Sequence, residues 1–258
     1  MNQNLKDHLK ESIQNDVRVD GRTKHEHRDI KIEKGTISTA EGSARLLAGD
    51  AEILAGVKAE VREPWPDTPD AGSLRVNLEL LALSSPDFES GRPGIESIEP
   101  SRVIDRGFRE SGAIDLKNLC IKKGEKVYGI SIDIAPLNYD GNIYGLGGLA
   151  ALAALQDTKL PGLTDTGSID YDSEGPEFNI EKTPIPITVY KVGDLLLIDP
   201  TDEEENIADA QLTITTLKDN KVCSLQKGGS APITEQDFED MLDLAFKTRE
   251  KLMEALHG

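Results

Sequence analysis

Only two cysteines, Cys120 and Cys223, occur in 258 residues, and they share no Cys-x-x-Cys spacing. That excludes a disulfide framework and a cysteine-based zinc site, and it fits a reducing, cytoplasmic setting. Aromatic residues make up 4% of the chain and Trp65 is the sole tryptophan, so the core must be built from Leu, Ile, Val and Ala. No apolar run approaches the roughly 18 residues that a membrane span needs. The opening segment MNQNLKDHLKESIQ lacks an apolar signal core. Neither a membrane span nor a secretion signal is therefore expected. Positive charge is also scarce: 29 Lys and Arg stand against 47 Asp and Glu, for a net charge of −18. A surface that acidic repels phosphates at long range and excludes a protein coated to bind nucleic acid. Salt screens that repulsion within about 8 Å, so one local basic patch is still compatible with it.

The chain is long enough for one large domain or two modest ones. NLKDHLKESIQ places Leu5, Leu9 and Ile13 at i, i+4 and i+8, the stripe of a helix that docks on something. DGRTKHEHRD reads as a polar surface connector. Strand-like runs follow in DIKIEKG, GSARLLAGDAEILAGVKAEV and SLRVNLELLAL, where Leu74, Val76, Leu78 and Leu80 alternate with other residues. REPWPDTPDAG and SSPDFESGRPGIE read as loops, IEPSRVIDRGFRESG as a helix, and KVYGISIDIAP as a strand. The Gly-, Pro- and Asp-rich segment from 159 to 182 reads as a linker. Beyond it come two pairs of strands with turns at Gly193-Asp194 and Asp219-Asn220, then a helix for which Thr234 is a plausible N-cap. Strands followed by helix, twice, predict an α+β protein with an internal structural duplication.

Three stretches could carry chemistry, and each has a plainer reading. In SRVIDRGFRE, Arg102, Arg106 and Arg109 fall at i, i+4 and i+7 on one helix face, opposite Val103, Ile104 and Phe108. Guanidinium forks match phosphate oxygens, but Asp105–Arg109 and Arg106–Glu110 could equally make a salt-bridged solvated face. In LNYDGNIYGLGG, Gly141, Gly145, Gly147 and Gly148 follow a strand and open a helix, where backbone N–H groups can seat an anion. Neither the G-x-G-x-x-G spacing nor a Gly-Lys-Ser/Thr is met, so the glycines could serve only a tight turn and close packing. In IDPTDEEENIADAQ, Asp199, Glu205 and Asp209 could act as acids, bases or metal ligands. The spacing is not that of a calcium loop, and Glu203-Glu204-Glu205 reads as a solvated turn. His25 and His27 lack further ligands nearby, so no metal site and no cofactor are expected.

GSARLLAGDAEILAGVKAEV, SRVIDRGFRESGAIDL, ISIDIAPLNYDGNIYG and LIDPTDEEENIADAQLTI resemble the RNase PH family in that order, over roughly residues 20 to 250. The resemblance is closest to an archaeal exosome ring subunit without a complete active site of its own. It implies an α+β fold of two related halves. These would be an N-terminal helix and connector over 1–22, a first half over 23–158, a linker over 159–182, and a second half with the C-terminal helix over 183–258. It also implies a hexameric ring in which three such subunits alternate with three catalytic ones, RNA-binding cap proteins on that ring, and single-stranded RNA as the ligand.

Catalytic members of that family use inorganic phosphate to cleave the 3′ end of RNA. Their glycine loop holds the attacking phosphate with hydroxyl and cationic side chains. Here Gly141 and Asn142 are followed by Ile143 and Tyr144, which offer neither. An Asp usual near the end of the acidic stretch is replaced by Gln211, a second is replaced by Glu205, and Asp199 alone is retained. By resemblance, therefore, the loop is a degenerate phosphate site and Asp199, Glu205 and Gln211 a degenerate acidic one. Arg102, Arg106 and Arg109 become contacts to the RNA backbone that leads to a neighbour's active site. Two alternatives remain: an independently active phosphate-dependent 3′-to-5′ exoribonuclease, and a metabolic enzyme using the glycine loop for a nucleotide.

Overall fold

The computed structural model describes residues 3–257, with side chains from Asp7 onward. Helix α1 (Gln3–Gln14) leads into an irregular segment and then into strands β1 (Ile30–Lys34), β2 (Gly42–Ala48), β3 (Ala51–Arg62) and β4 (Ser73–Leu78). The long run predicted from sequence is a hairpin, folding back at Gly49-Asp50 between β2 and β3. Helix α2 (Ile95–Ser111) ends on Gly112 in the left-handed conformation, φ 62°, a common helix stop. A single 3-10 turn, the short β5 (Cys120–Lys122), β6 (Lys126–Asn138) and α3 (Ile143–Gln156) complete the first half. Its sheet runs β1-β2-β3-β6-β4, with β5 also on β6. All its pairs are antiparallel except β4 with β6, so β4 is an edge strand.

The predicted linker is not featureless: β7 (Pro161–Leu163) and β8 (Ile169–Glu174) form a small hairpin within it. The second half is β9 (Ile185–Val192), β10 (Leu195–Ile198), the one-turn α4 (Asp202–Glu205), β11 (Ala210–Leu217), β12 (Lys221–Gly229) and α5 (Glu235–His257). Its antiparallel sheet has the order β10-β9-β11-β12. Thr234 does begin α5: its hydroxyl accepts from the Asp237 N–H at 3.1 Å, and the Asp237 carboxylate accepts from the Thr234 N–H at 2.9 Å.

One continuous core joins the halves. Helix α3 lies at its centre and is buried from Ile143 to Leu155, as a helix apolar on every side must be. It packs on β2 and β3 of the first sheet and on β9 of the second. Its glycines permit that approach: a Cβ at Gly148 would fall 2.2 Å from the Pro186 ring. The inward faces of β3 and β4 fill the core through Ala51, Ile53, Ala55 and Val57, and through Leu74, Val76 and Leu78. A smaller cluster sets Leu9 and Ile13 of α1 against Tyr190, Val192, Leu197 and Ile207, so α1 docks on the second half. The Leu5 side chain lies outside the described residues. Among the described residues no helix is long and apolar enough to cross a membrane.

Candidate functional site

The β6–α3 turn meets the segment after β10, and this junction gathers most of the loop and acidic residues singled out above. Gly141 has φ +73°, and a Cβ there would lie 2.6 Å from the Pro200 carbonyl oxygen, so both its conformation and its surroundings require glycine. Asn142, left-handed at φ 54°, caps α3 and is 3% exposed. Its backbone N–H donates to Glu205 Oε2 at 3.0 Å, and its Nδ2 donates to Asp199 Oδ1 at 2.8 Å. Loop and acidic stretch are thus one site, joined at Asn142.

Glu205 also accepts from the Tyr139 hydroxyl at 3.0 Å and from the Tyr190 hydroxyl at 2.8 Å. Burial pushes its carboxyl above the ordinary value despite these three donors. Burial and the facing Glu205 push both tyrosines up, so they stay protonated and donate. A helix N-terminus favours an acceptor of negative character, and the acceptor seated at α3 is this carboxyl group. Ile143 and Tyr144 turn inward, 4% and 7% exposed, and Gln211 on β11 lies beside the Tyr144 hydroxyl. The first exposed N–H of the α3 N-terminus is thus taken by the chain's own Glu205 side chain.

Asp199 is fully buried and sits in the left-handed region at φ 50°. Its carboxylate accepts from Arg28 Nη2 at 2.7 Å, Arg28 Nε at 2.9 Å, the Arg28 backbone N–H at 2.9 Å and Arg22 Nη1 at 3.2 Å. His27 Nδ1 lies 3.2 Å away. Burial alone would raise the Asp199 carboxyl; His27 and the Arg28 fork outweigh it and hold it well below the usual carboxylate range. Burial drives His27 itself below its ordinary value, so at neutral pH the cations facing Asp199 are the arginines. The other arm of Arg28 reaches the Asp140 carboxylate and carbonyl, each at 2.8 Å. Alongside, the buried Arg18 pairs with Glu204 and donates to the Ile198 and Asp199 carbonyls at 3.0 and 2.8 Å.

These contacts correct two expectations. The predicted surface connector buries Arg28 and covers His27, leaving His25 exposed, and Arg18 just before it is buried too. The predicted solvated turn is α4, where Glu203 alone is exposed and Glu204 is 1% exposed. In both, each buried charge has an opposite charge or several hydrogen bonds, which offsets its desolvation. The partners lie 171 and 186 residues apart, beyond the reach of any local pattern. The one trace in the sequence is that Arg18, Arg22, Lys24 and Arg28 crowd together in an acidic chain. Asp209 stays apart, accepting from the Gly193 N–H at 2.8 Å and pairing with Lys10 at 3.8 Å. Among the described residues no group of three or more His, Cys, Asp or Glu is arranged to hold a metal ion.

The arginine stripe lies elsewhere, along a groove of about 660 Å³ between α2 and the edge strand β4. Arg102, Arg106 and Arg109 are exposed, while Val103, Ile104 and Phe108 pack inward. They are not equivalent. Arg109 forks onto Asp105 at 3.0 and 3.2 Å and donates to the Leu74 carbonyl at 2.9 Å. Among the described residues Arg102 and Arg106 have neither ion-pair nor hydrogen-bond partners, and the Arg106–Glu110 pair allowed by spacing does not form.

Residues 26–161 match domain 1 of the 3′ exoribonuclease family, RNase PH, and residues 182–248 match domain 2. The chain belongs to the RNase PH family. Among its RNase PH relatives, the exosome complex component Rrp42 of Methanothermobacter thermautotrophicus is 41% identical over 246 residues, covering 95% of this chain and 91% of that protein. The Rrp42 of Thermococcus kodakarensis is 39% identical over 259 residues, covering 98% and 95%. A chain of the Archaeoglobus fulgidus exosome with RNA bound to the active site is similar in structure, with TM-score 0.86, 41% identity, and coverage of 96% of this chain and 97% of that one. Within this RNase PH fold, Asn142, Asp199 and Glu205 are in contact, Gln211 adjoins Tyr144, and the arginines line a separate groove.

Proposed function

We propose that the chain is a non-catalytic subunit of an exosome ring, which scaffolds a catalytic RNase PH-type neighbour and guides the RNA backbone toward it. The observation that carries this reading is the Glu205 carboxylate at the α3 N-terminus, bonded to the Asn142 N–H and two tyrosines. Phosphorolysis needs an orthophosphate oxygen to attack the terminal RNA phosphorus, which breaks the bond to the preceding 3′ oxygen and releases a nucleoside diphosphate. A phosphate would have to displace Glu205 from the Asn142 N–H, and Ile143 and Tyr144 bring neither cation nor aliphatic hydroxyl to hold it. The neighbour therefore supplies the phosphate site.

The groove supports the guiding role. Unpaired guanidiniums at Arg102 and Arg106 attract backbone phosphates without reading bases. The acidic remainder of the surface discourages RNA elsewhere. The kinship with exosome components named Rrp42 supports the assembly: three such chains alternating with three catalytic ones, beneath RNA-binding caps.

Phosphate-dependent release of nucleoside diphosphates from single-stranded RNA tests this, with the purified chain alone, a catalytic RNase PH-type partner alone, and the two mixed. The lone chain is expected to be inert and the mixture faster than the partner alone. Robust phosphorolysis by the lone chain would overturn the reading.

A further inference from the structure

The groove has a strand wall as well as a helix wall. On β4 the alternation that turns Leu74, Val76 and Leu78 into the core turns Arg75 and Asn77 the other way. Asn77 is committed, donating from Nδ2 to Asp133 Oδ1 at 2.8 Å. Arg75 is not: it is exposed, lines the same groove as Arg102 and Arg106, and makes no side-chain hydrogen bond or ion pair among the described residues. Across the ladder it faces Ser131, which carries no charge to neutralise it. The acids of the groove are Glu79, Asp105 and Glu110, and Asp105 is already held by Arg109. Three free guanidiniums then stand against two free carboxylates, in a chain whose net charge is −18. An unpaired arginine in such a groove is placed for a ligand that brings its own negative charge.

We propose that Arg75 is a further RNA-backbone contact, gripping from the β4 side a strand that Arg102 and Arg106 hold from the α2 side. This rests on the RNA-guiding role proposed above. A backbone held from two walls is fixed in direction as well as in place, which a single stripe on one helix does not achieve.

The test is a salt titration of single-stranded RNA binding by the ring assembled with its catalytic neighbour. It compares Arg75→Ala, Arg75→Lys, the pair Arg102→Ala/Arg106→Ala, and Lys123→Ala, which removes an exposed charge outside the groove. Each lost phosphate contact on a single strand lowers the slope of log affinity against log salt by about 0.7. Arg75→Ala is expected to lower the slope by about that amount, Arg75→Lys to keep it, and Lys123→Ala to leave it unchanged. An unchanged slope for Arg75→Ala beside a reduced one for the α2 pair overturns the Arg75 assignment and leaves the guiding role standing. Unchanged slopes for all the groove variants overturn both. Loss of ring assembly in Arg75→Ala puts the residue at a protein contact instead and also overturns the assignment.

Discussion

The junction around Asp199 and Glu205 and the groove along α2 use the same kinds of charged side chain to opposite ends. In the junction every charge is answered from within the chain: Asp199 by Arg28 and Arg22, Glu204 by Arg18, and Glu205 by two tyrosines and a backbone N–H. In the groove Arg75, Arg102 and Arg106 have no partner among the described residues. A satisfied charged network specifies structure and resists further ligands. An unsatisfied set on a concave surface keeps its capacity to bind. Kinship with an exoribonuclease family draws the eye to the first region, whose charges are already paired, whereas the unpaired ones are in the second.

The sharpest break of this contrast is Asp199→Ala, which leaves the buried Arg28 guanidinium with Asp140 as its remaining carboxylate partner. The expected loss is about 3–5 kcal/mol, read by urea denaturation. Because the Asp199 carboxyl is held below its ordinary value, its contribution is complete above the usual carboxylate range. It is lost as pH falls through that range toward the folded-state value. The variant's stability should therefore fall less steeply on acidification than the parent's.

Glu205→Ala comes next. It leaves the Asn142 N–H and two tyrosine hydroxyls without their acceptor, for an expected loss of about 2–3 kcal/mol. Glu205→Gln should cost under about 1 kcal/mol, since the amide oxygen accepts from Asn142 and Tyr139 while Tyr190 turns to accept from the amide. The raised Glu205 carboxyl makes the parent lose stability as pH climbs from the ordinary glutamate value to the folded one, and Glu205→Gln should abolish that loss.

On the open side, Arg102→Glu/Arg106→Glu should weaken RNA binding by the assembled ring more than about tenfold at low salt, and shift stability by no more than about 0.5 kcal/mol. Equal damage to fold and binding would erase the contrast. The smallest effect is at Asp105→Ala, which frees Arg109 from its i,i+4 partner at a cost of a few tenths, ~0.3 kcal/mol, and should raise RNA affinity slightly. Unchanged or weaker affinity would show that Arg109 acts only as a brace on Leu74.

The contrast also explains what could be read in advance. Helix α2 is legible because Val103, Ile104 and Phe108 recur on one face, and the inward side of β4 because Leu74, Val76 and Leu78 alternate. Both patterns are local and periodic. The Gly141 turn is legible because few sequences other than Asp-Gly tolerate it. Arg18, Arg28 and Glu204 were not legible as interior residues. A charge reads as surface unless its partner is known, and no spacing rule connects Arg28 to Asp199. Glu205 was hidden for the same reason inside an acidic run. Arg109 was legible as part of a stripe, but its hold on the Leu74 carbonyl depends on β4 lying alongside.

Arg28 grips Asp140 in the first half with one arm and Asp199 in the second with the other. Leu9 and Ile13, still earlier in the chain, rest on β9 and β10. Helix α1 and the arginines that follow it therefore precede the first half in order, while much of their packing and pairing is with the second. A chimera that joins one relative's first half to another's second should tolerate the splice best if the residues through Arg22 travel with the second parent, since a swap at the boundary between the halves alone would separate Arg18 from Glu204 and Arg22 from Asp199.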